Sequence, residues 1–195
     1  VIGNCLNRED YGYMQSNGMH KTKDTSSFRL LFTGRISEKV DMDALLTAVS
    51  RLHKMGHQDI RLDIVGSGDL DSLKNRLAKL HIAEQVKIHG PLYGIDLYPL
   101  FQKADLFVYP GRIGLSILHA FSFGLPVLTQ GDASIHFPEI ELLEPGVNGD
   151  FYVEGKDGEG LEDKILLWKQ RLASERNTVA EICVHRVKKL GYEPE

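Results

Sequence analysis

Four times in this chain, an apolar run of four to six residues ends at or just before a glycine and gives way to a stretch patterned for a helix. Phe28–Thr33 (FRLLFT) runs into Gly34-Arg35, and Asp41–Met55 then carries Met42, Leu45, Leu46, Val49 and Leu52 at helical spacing. Ile60–Val65 (IRLDIV) meets Gly66-Ser67-Gly68, followed by Leu70, Leu73, Leu77 and Leu80 in step across Asp69–Leu80. Val86–His89 meets Gly90, with a short helix expected at Asp96–Lys103. Asp105–Tyr109 (DLFVY) meets Gly111 and Gly114 before the apolar run Ile117–Phe123. Strands alternating with helices of this length build βαβ units, so the expected fold is α/β, a Rossmann-like doubly wound parallel sheet. Ligands of such sheets bind beyond the carboxyl ends of the strands, and all of these glycines fall there.

The pattern continues with a strand after Pro126 and a turn-rich segment containing Pro138, Pro145, Gly146 and Gly149. A last strand is expected at Phe151–Val153, and two closing helices at about 159–173 and 175–190. Residues 11–27 are polar and weakly periodic and read as a loop or mobile connector, and the regular pattern from 28 to 195 reads as one domain. The 195 residues carry a net charge of −4 and a pI near 6.1, so the basic face that supplies affinity for nucleic acid is missing. Cys5 and Cys183 lie at opposite ends, with neither metal-ligand spacing nor a disulfide framework, which points to a reducing, cytoplasmic setting. No apolar run is long enough to span a membrane.

Several motifs carry possible chemistry. Gly66-Ser67-Gly68 lacks the third glycine of a dinucleotide fingerprint and reads as a tight strand-to-helix turn. Arg35 and Lys39 follow the first strand. Arg forks onto phosphate oxygens and Lys adds a point charge, so together they suit a diphosphate, although solvated loop cations look the same in sequence. Gly114, Leu115 and Ser116 open a helix whose free N–H groups and dipole favour an anion, and Gly114 allows close approach of the backbone. Ile117, Leu118 and Phe121 should face the core. His119 shares the other side with Ser116, where it either meets a sugar hydroxyl or caps a neighbouring loop. Asp132, His136 and Glu139 gather after a strand end, as catalytic groups or as turn chemistry. No Ser/His/Asp arrangement and no metal-ligand cluster is evident, so no metal and no cofactor is expected.

Taken together, LFTGRISEK (31–39), LDIVGSGDLDSL (62–73), VKIHG (86–90), ADLFVYPG (104–111), GLSILHAFSFGLPVLT (114–129), PEI (138–140) and GVNGDF (146–151) resemble, in order and spacing, the C-terminal, donor-binding half of GT-B-type retaining glycosyltransferases, the glycosyl transferases group 1 family. The opening VIGNCLN resembles the strand by which such chains cross into this domain, which would make 1–27 an interdomain strand and flexible connector. The resemblance implies a nucleotide-diphosphate sugar as substrate, retention of configuration, no obligatory metal, and a preceding acceptor-binding domain. It implies that Arg35, Lys39, Gly114, Leu115 and Ser116 hold the diphosphate. Gly111, His119 and Glu139 would lie at the ribose and sugar, and His89, Gly90 and Pro91 at the base. The family usually places glutamates where Gly111 and His119 stand, and a lysine where Val40 stands, one residue past Lys39. A neutral His119 can accept one hydrogen bond and donate one, whereas Gly111 offers a sugar no side chain. The implied role is sugar transfer in bacterial polysaccharide or glycolipid synthesis, with membrane association only through the full-length enzyme. An inactive nucleotide- or partner-binding module, and a sugar-nucleotide epimerase on the same fold, remain alternatives.

Overall fold

The computed structural model describes residues 26–131, 133–155 and 158–189. The connector expected before Ser26, Cys5 and Asp132 lie outside them. Among the described residues six strands form one sheet: β1 (Phe28–Thr33), β2 (Ile60–Val65), β3 (Val86–Gly90), β4 (Leu106–Tyr109), β5 (Val127–Gln130) and β6 (Gly149–Tyr152). Their order is β3-β2-β1-β4-β5-β6 and every pair is parallel. The chain therefore builds outward from β1 in one direction and then from β4 in the other. The seam between these two strands is the topological switch point, where neighbouring connections leave in opposite directions and open a crevice.

The helices are α1 (Met42–Lys54), α2 (Leu70–Leu80), α3 (Tyr98–Lys103), α4 (Ser116–Ser122) and α5 (Leu161–Lys189). Asp41 caps α1 by accepting from the Ala44 N–H at 2.9 Å, and Asp69 caps α2 from the Ser72 N–H at 2.9 Å. Each cap satisfies a helix-end donor immediately after a sheet loop, which fixes where that loop stops. Leu45, Leu46, Val49 and Leu52 of α1 are completely buried, as the sequence spacing requires. The strands are buried on both faces, with Leu30, Leu31, Phe32, Leu106, Phe107, Val108, Val127 and Leu128 at zero exposure, the signature of a covered parallel sheet.

Two expectations need correction. β6 starts at Gly149, two residues before Phe151, and Val153 lies beyond it. A Cβ on Gly149 would collide with the Val127 carbonyl of β5, so this strand begins with close backbone contact. The two closing helices are one, α5. The sequence suggests a break because no large apolar residue falls between Leu172 and Val179. In the fold the buried stripe Leu161, Ile165, Trp168, Leu172 continues through Arg176 to Val179, Cys183 and Val187. The Arg176 guanidinium fills the gap by pairing with Asp105, which is 4% exposed. Burying a carboxylate requires a partner, and α5 brings it.

α5 ties the domain together. Near its start Glu162 meets Arg51 of α1 at 3.0 Å. Further on Lys169 reaches Asp59 and Arg176 reaches Asp105, the residues just before β2 and β4, so the helix passes the amino end of the sheet. In its second half Ala180 packs against Gly124, at the end of α4.

Candidate functional site

Three loops meet over the carboxyl ends of β1, β4 and β5. The loop after β1 pairs with the loop after β4 through a bridge between Val40 and Gly111, and the Asp41 N–H donates to the Pro110 carbonyl at 2.7 Å. The Thr129 hydroxyl, at the end of β5, lies 3.0 Å from both the Tyr109 and the Gly111 carbonyls. Ile113 N–H donates to His136 Nδ1 at 3.0 Å, and the Ile113 carbonyl accepts from the Phe137 N–H at 3.2 Å. The turn at 110–114 is thus fastened to both flanking loops. Next to it, the loop after β1 also joins β2: Gly34 N–H donates to Val65 O at 3.0 Å, and Ile36 N–H to Ser67 O at 2.8 Å.

Gly66 and Gly68 serve this loop contact. A Cβ on Gly66 would strike the Gly34 carbonyl, and one on Gly68 the Ile36 carbonyl. Gly66-Ser67-Gly68 is therefore the tight turn that the missing third glycine suggests, and loop packing accounts for its glycines. Gly111 is set the same way, because a Cβ there would stand 2.7 Å from the Lys39 carbonyl oxygen. The position where the resembling family carries a glutamate is closed here by neighbouring backbone.

Arg35 and Lys39 are exposed on the loop after β1. Arg112, which sequence reasoning passed over, is a third exposed cation, and its guanidinium lies 4.2 Å from the centre of the Phe137 ring. That ring also covers Gly114, where an added Cβ would be 3.0 Å away. The N–H groups of Leu115 and Ser116, at the start of α4, have no acceptor among the described residues. Ser116 is half-buried. Ile117, Leu118 and Phe121 are buried, as their spacing suggests. His119 is half-buried with its ring 6.5 Å from Phe101, on the side of α4 that faces α3. Glu139 is half-buried in the 3₁₀ turn Pro138–Leu142, which Ile140 and Leu142 anchor in the core.

The β3 corner lies one strand further out. Gly90 accepts from the Gly66 N–H at 2.9 Å, and Pro91 is exposed. The His89 side chain turns back along the sheet to Asp63 of β2, with Nε2 2.6 Å from Oδ1. Arg29 of β1 reaches the other oxygen of that carboxylate at 3.6 Å. The His89 side chain is therefore engaged within the sheet by Asp63. Burial raises the pKa of the Tyr109 phenol, whose ring packs beside Phe32 and Gly34 at the end of β4. Among the described residues, no three His, Cys, Asp or Glu side chains converge on a metal position, and no helix is long and apolar enough to cross a membrane.

Residues 27–169 match the family model of glycosyl transferases group 1. The chain belongs to that family. The same parallel sheet recurs in solved glycosyltransferases. WaaG, a glycosyltransferase involved in lipopolysaccharide biosynthesis, superposes with a TM-score of 0.70 at 21% identity, over 96% of this chain and 48% of its own. The pneumococcal O-GlcNAc transferase GtfA, solved with UDP and GlcNAc, gives 0.66 at 22%, over 87% and 35%. Anabaena HepE, solved with UDP-glucose, gives 0.63 at 19%, over 94% and 48%. The group 1 chain thus spans about half the length of these structures or less. No curated protein matches it in sequence.

Proposed function

We propose that this chain is the donor-binding half of a retaining glycosyltransferase that uses a nucleotide-diphosphate sugar. The observation that carries this reading is the fastening of two loops at the switch point: the one bearing Arg35 and Lys39, and the one leading into the N–H groups of Leu115 and Ser116, which have no acceptor among the described residues. Neighbouring structures with this fold were solved with UDP, and one with UDP-glucose, which supports a nucleotide-diphosphate sugar as the donor.

The reaction breaks the bond between the anomeric carbon and the β-phosphate oxygen, so negative charge grows on the diphosphate. Arg35, Lys39 and the amides at 115–116 stabilise that charge, and such electrostatic stabilisation is usually the largest catalytic contribution. The departing phosphate takes the acceptor's proton, so no protein base is required, and no metal is obligatory. His119 and Glu139 contact the ribose and sugar, with the Gly111 backbone at the sugar. The base lies over the Gly90-Pro91 backbone, with His89 buttressing that corner through Asp63. The acceptor is held by a preceding domain. For a lipid-linked acceptor in polysaccharide or glycolipid synthesis, the whole enzyme works at the membrane surface. The test is turnover by the full-length protein with a panel of sugar nucleotides and acceptors, with the anomeric configuration of the product read by NMR. An inverted product refutes retention.

One observation favours a second reading, a nucleotide-binding module without catalysis: Gly111 has no side chain at the sugar and no room for one. Nucleotide binding without turnover or epimerised donor in the full-length protein would support it. Epimerised sugar nucleotide formed without any acceptor would point to an epimerase instead.

A further inference from the structure

His136 and Phe137 hold both backbone polar groups of Ile113, a residue with no exposed surface. On the far side of the His136 ring, Nε2 meets the Gln130 carbonyl at 2.8 Å. A carbonyl only accepts and a backbone N–H only donates. These two contacts therefore require a neutral imidazole with its proton on Nε2 and its lone pair on Nδ1. The residue is 7% exposed, and its ring packs beside Phe151 of β6 at 5.7 Å. Phe137 meanwhile lies under Arg112 and over Gly114. One dipeptide thus grips three successive residues of the turn that leads into Leu115 and Ser116.

We propose that His136 is a positioning residue for the donor: as a neutral ring it holds Ile113, and through it the Gly114–Ser116 backbone, in the conformation that receives the diphosphate. Protonation places a second N–H opposite the Ile113 N–H, and that contact becomes repulsive. The charged groups on the segments around the ring include Arg112 on the turn, Asp132 on the loop between Gln130 and His136, which lies outside the described residues, and Glu139 on the following 3₁₀ turn. β5 and β6 present the uncharged Gln130 and Phe151. The inference rests on the donor reading above.

Amide exchange in the ligand-free chain tests the grip without any nucleotide. Protection at Ile113 should fall at least about tenfold between about pH 7.5 and pH 5, relative to Val127 in the sheet, a range that spans ordinary histidine titration. His136→Asn keeps an acceptor near the Nδ1 position and cannot be protonated there, so its Ile113 protection should be flat across the same range. Equal protection at both pH values in the wild-type chain, or the same fall in the Asn variant, overturns the proposal. In parallel, UDP-glucose and GDP-mannose are titrated, because their diphosphates have no titrating terminal phosphate in this range. Wild-type affinity for the tighter of the two should weaken at least about threefold at the lower pH, and the Asn variant should not follow. Affinity independent of pH despite the expected exchange pattern overturns the positioning role. No binding of either sugar nucleotide counts against the donor reading, while the exchange result still decides whether His136 grips Ile113.

Discussion

Gly111 and Lys39 lie back to back: the Cα of one is so near the carbonyl of the other that a single added carbon would sit 2.7 Å from the oxygen. This contact, next to the Val40–Gly111 bridge, seats the loop after β1 on the turn after β4. It also explains a departure from the family pattern, because a side chain at 111 would push the two loops apart.

Gly111→Ala should therefore destabilise the chain by about 1–3 kcal/mol, the usual cost of overfilling a packed contact. Gly111→Glu should cost at least as much and should not strengthen donor binding. Chemical denaturation and nucleotide titration check both. A Glu variant of unchanged stability would mean that the loops are not pressed together here.

Asp105 is buried at the foot of β4, where one oxygen accepts from the Arg29 N–H at 2.7 Å and the other pairs with Arg176. Asp105→Ala should cost on the order of 2–4 kcal/mol, because it strands two donors. Asp105→Asn should cost less, since its carbonyl oxygen can still accept from Arg29. Denaturation midpoints separate the two. Equal losses would show that the charge, and not the backbone contact, dominates.

Glu154, just past β6, has its pKa raised above the ordinary 4.5 by partial burial and by the nearby Glu162 and Asp41, with Arg51 opposing. A carboxyl with a raised pKa in the folded state binds its proton more tightly there than in the unfolded chain. Its stabilising contribution is complete below pH 4.5 and is lost as pH rises through the folded value. Glu154→Gln should raise the melting temperature at pH 7 and leave it little changed below pH 4.5. A variant that melts lower at pH 7 would show that Glu154 is held by a favourable partner.

The strands and their glycine corners were readable from the chain because each is a local pattern: an apolar run, then a residue that permits a tight turn. β1 and β2 fall on the expected residues, and α1 and α2 end within one residue of expectation. The sequence splits α5 in two because Arg176 stands where an apolar residue would keep the stripe going, and its partner Asp105 lies 71 positions away. Separation in sequence also hides the fastening of the site. Thr129 reaches Gly111 across 18 positions and His136 reaches Ile113 across 23, and neither spacing marks a motif. His136 drew notice only as one polar group among several. Nor does a glycine in sequence disclose which backbone it approaches, and so the reason for Gly111 emerged only from the fold.

Calorimetric titration of UDP and UDP-sugars into the wild-type chain and Arg35→Ala tests the donor seam most directly. Arg35 should supply a charge-assisted contact to the diphosphate, so its loss should weaken binding by at least about 1.5 kcal/mol, roughly tenfold. Equal affinity in the two proteins, at matched salt, would remove Arg35 from the site and with it the diphosphate seat between β1 and β4.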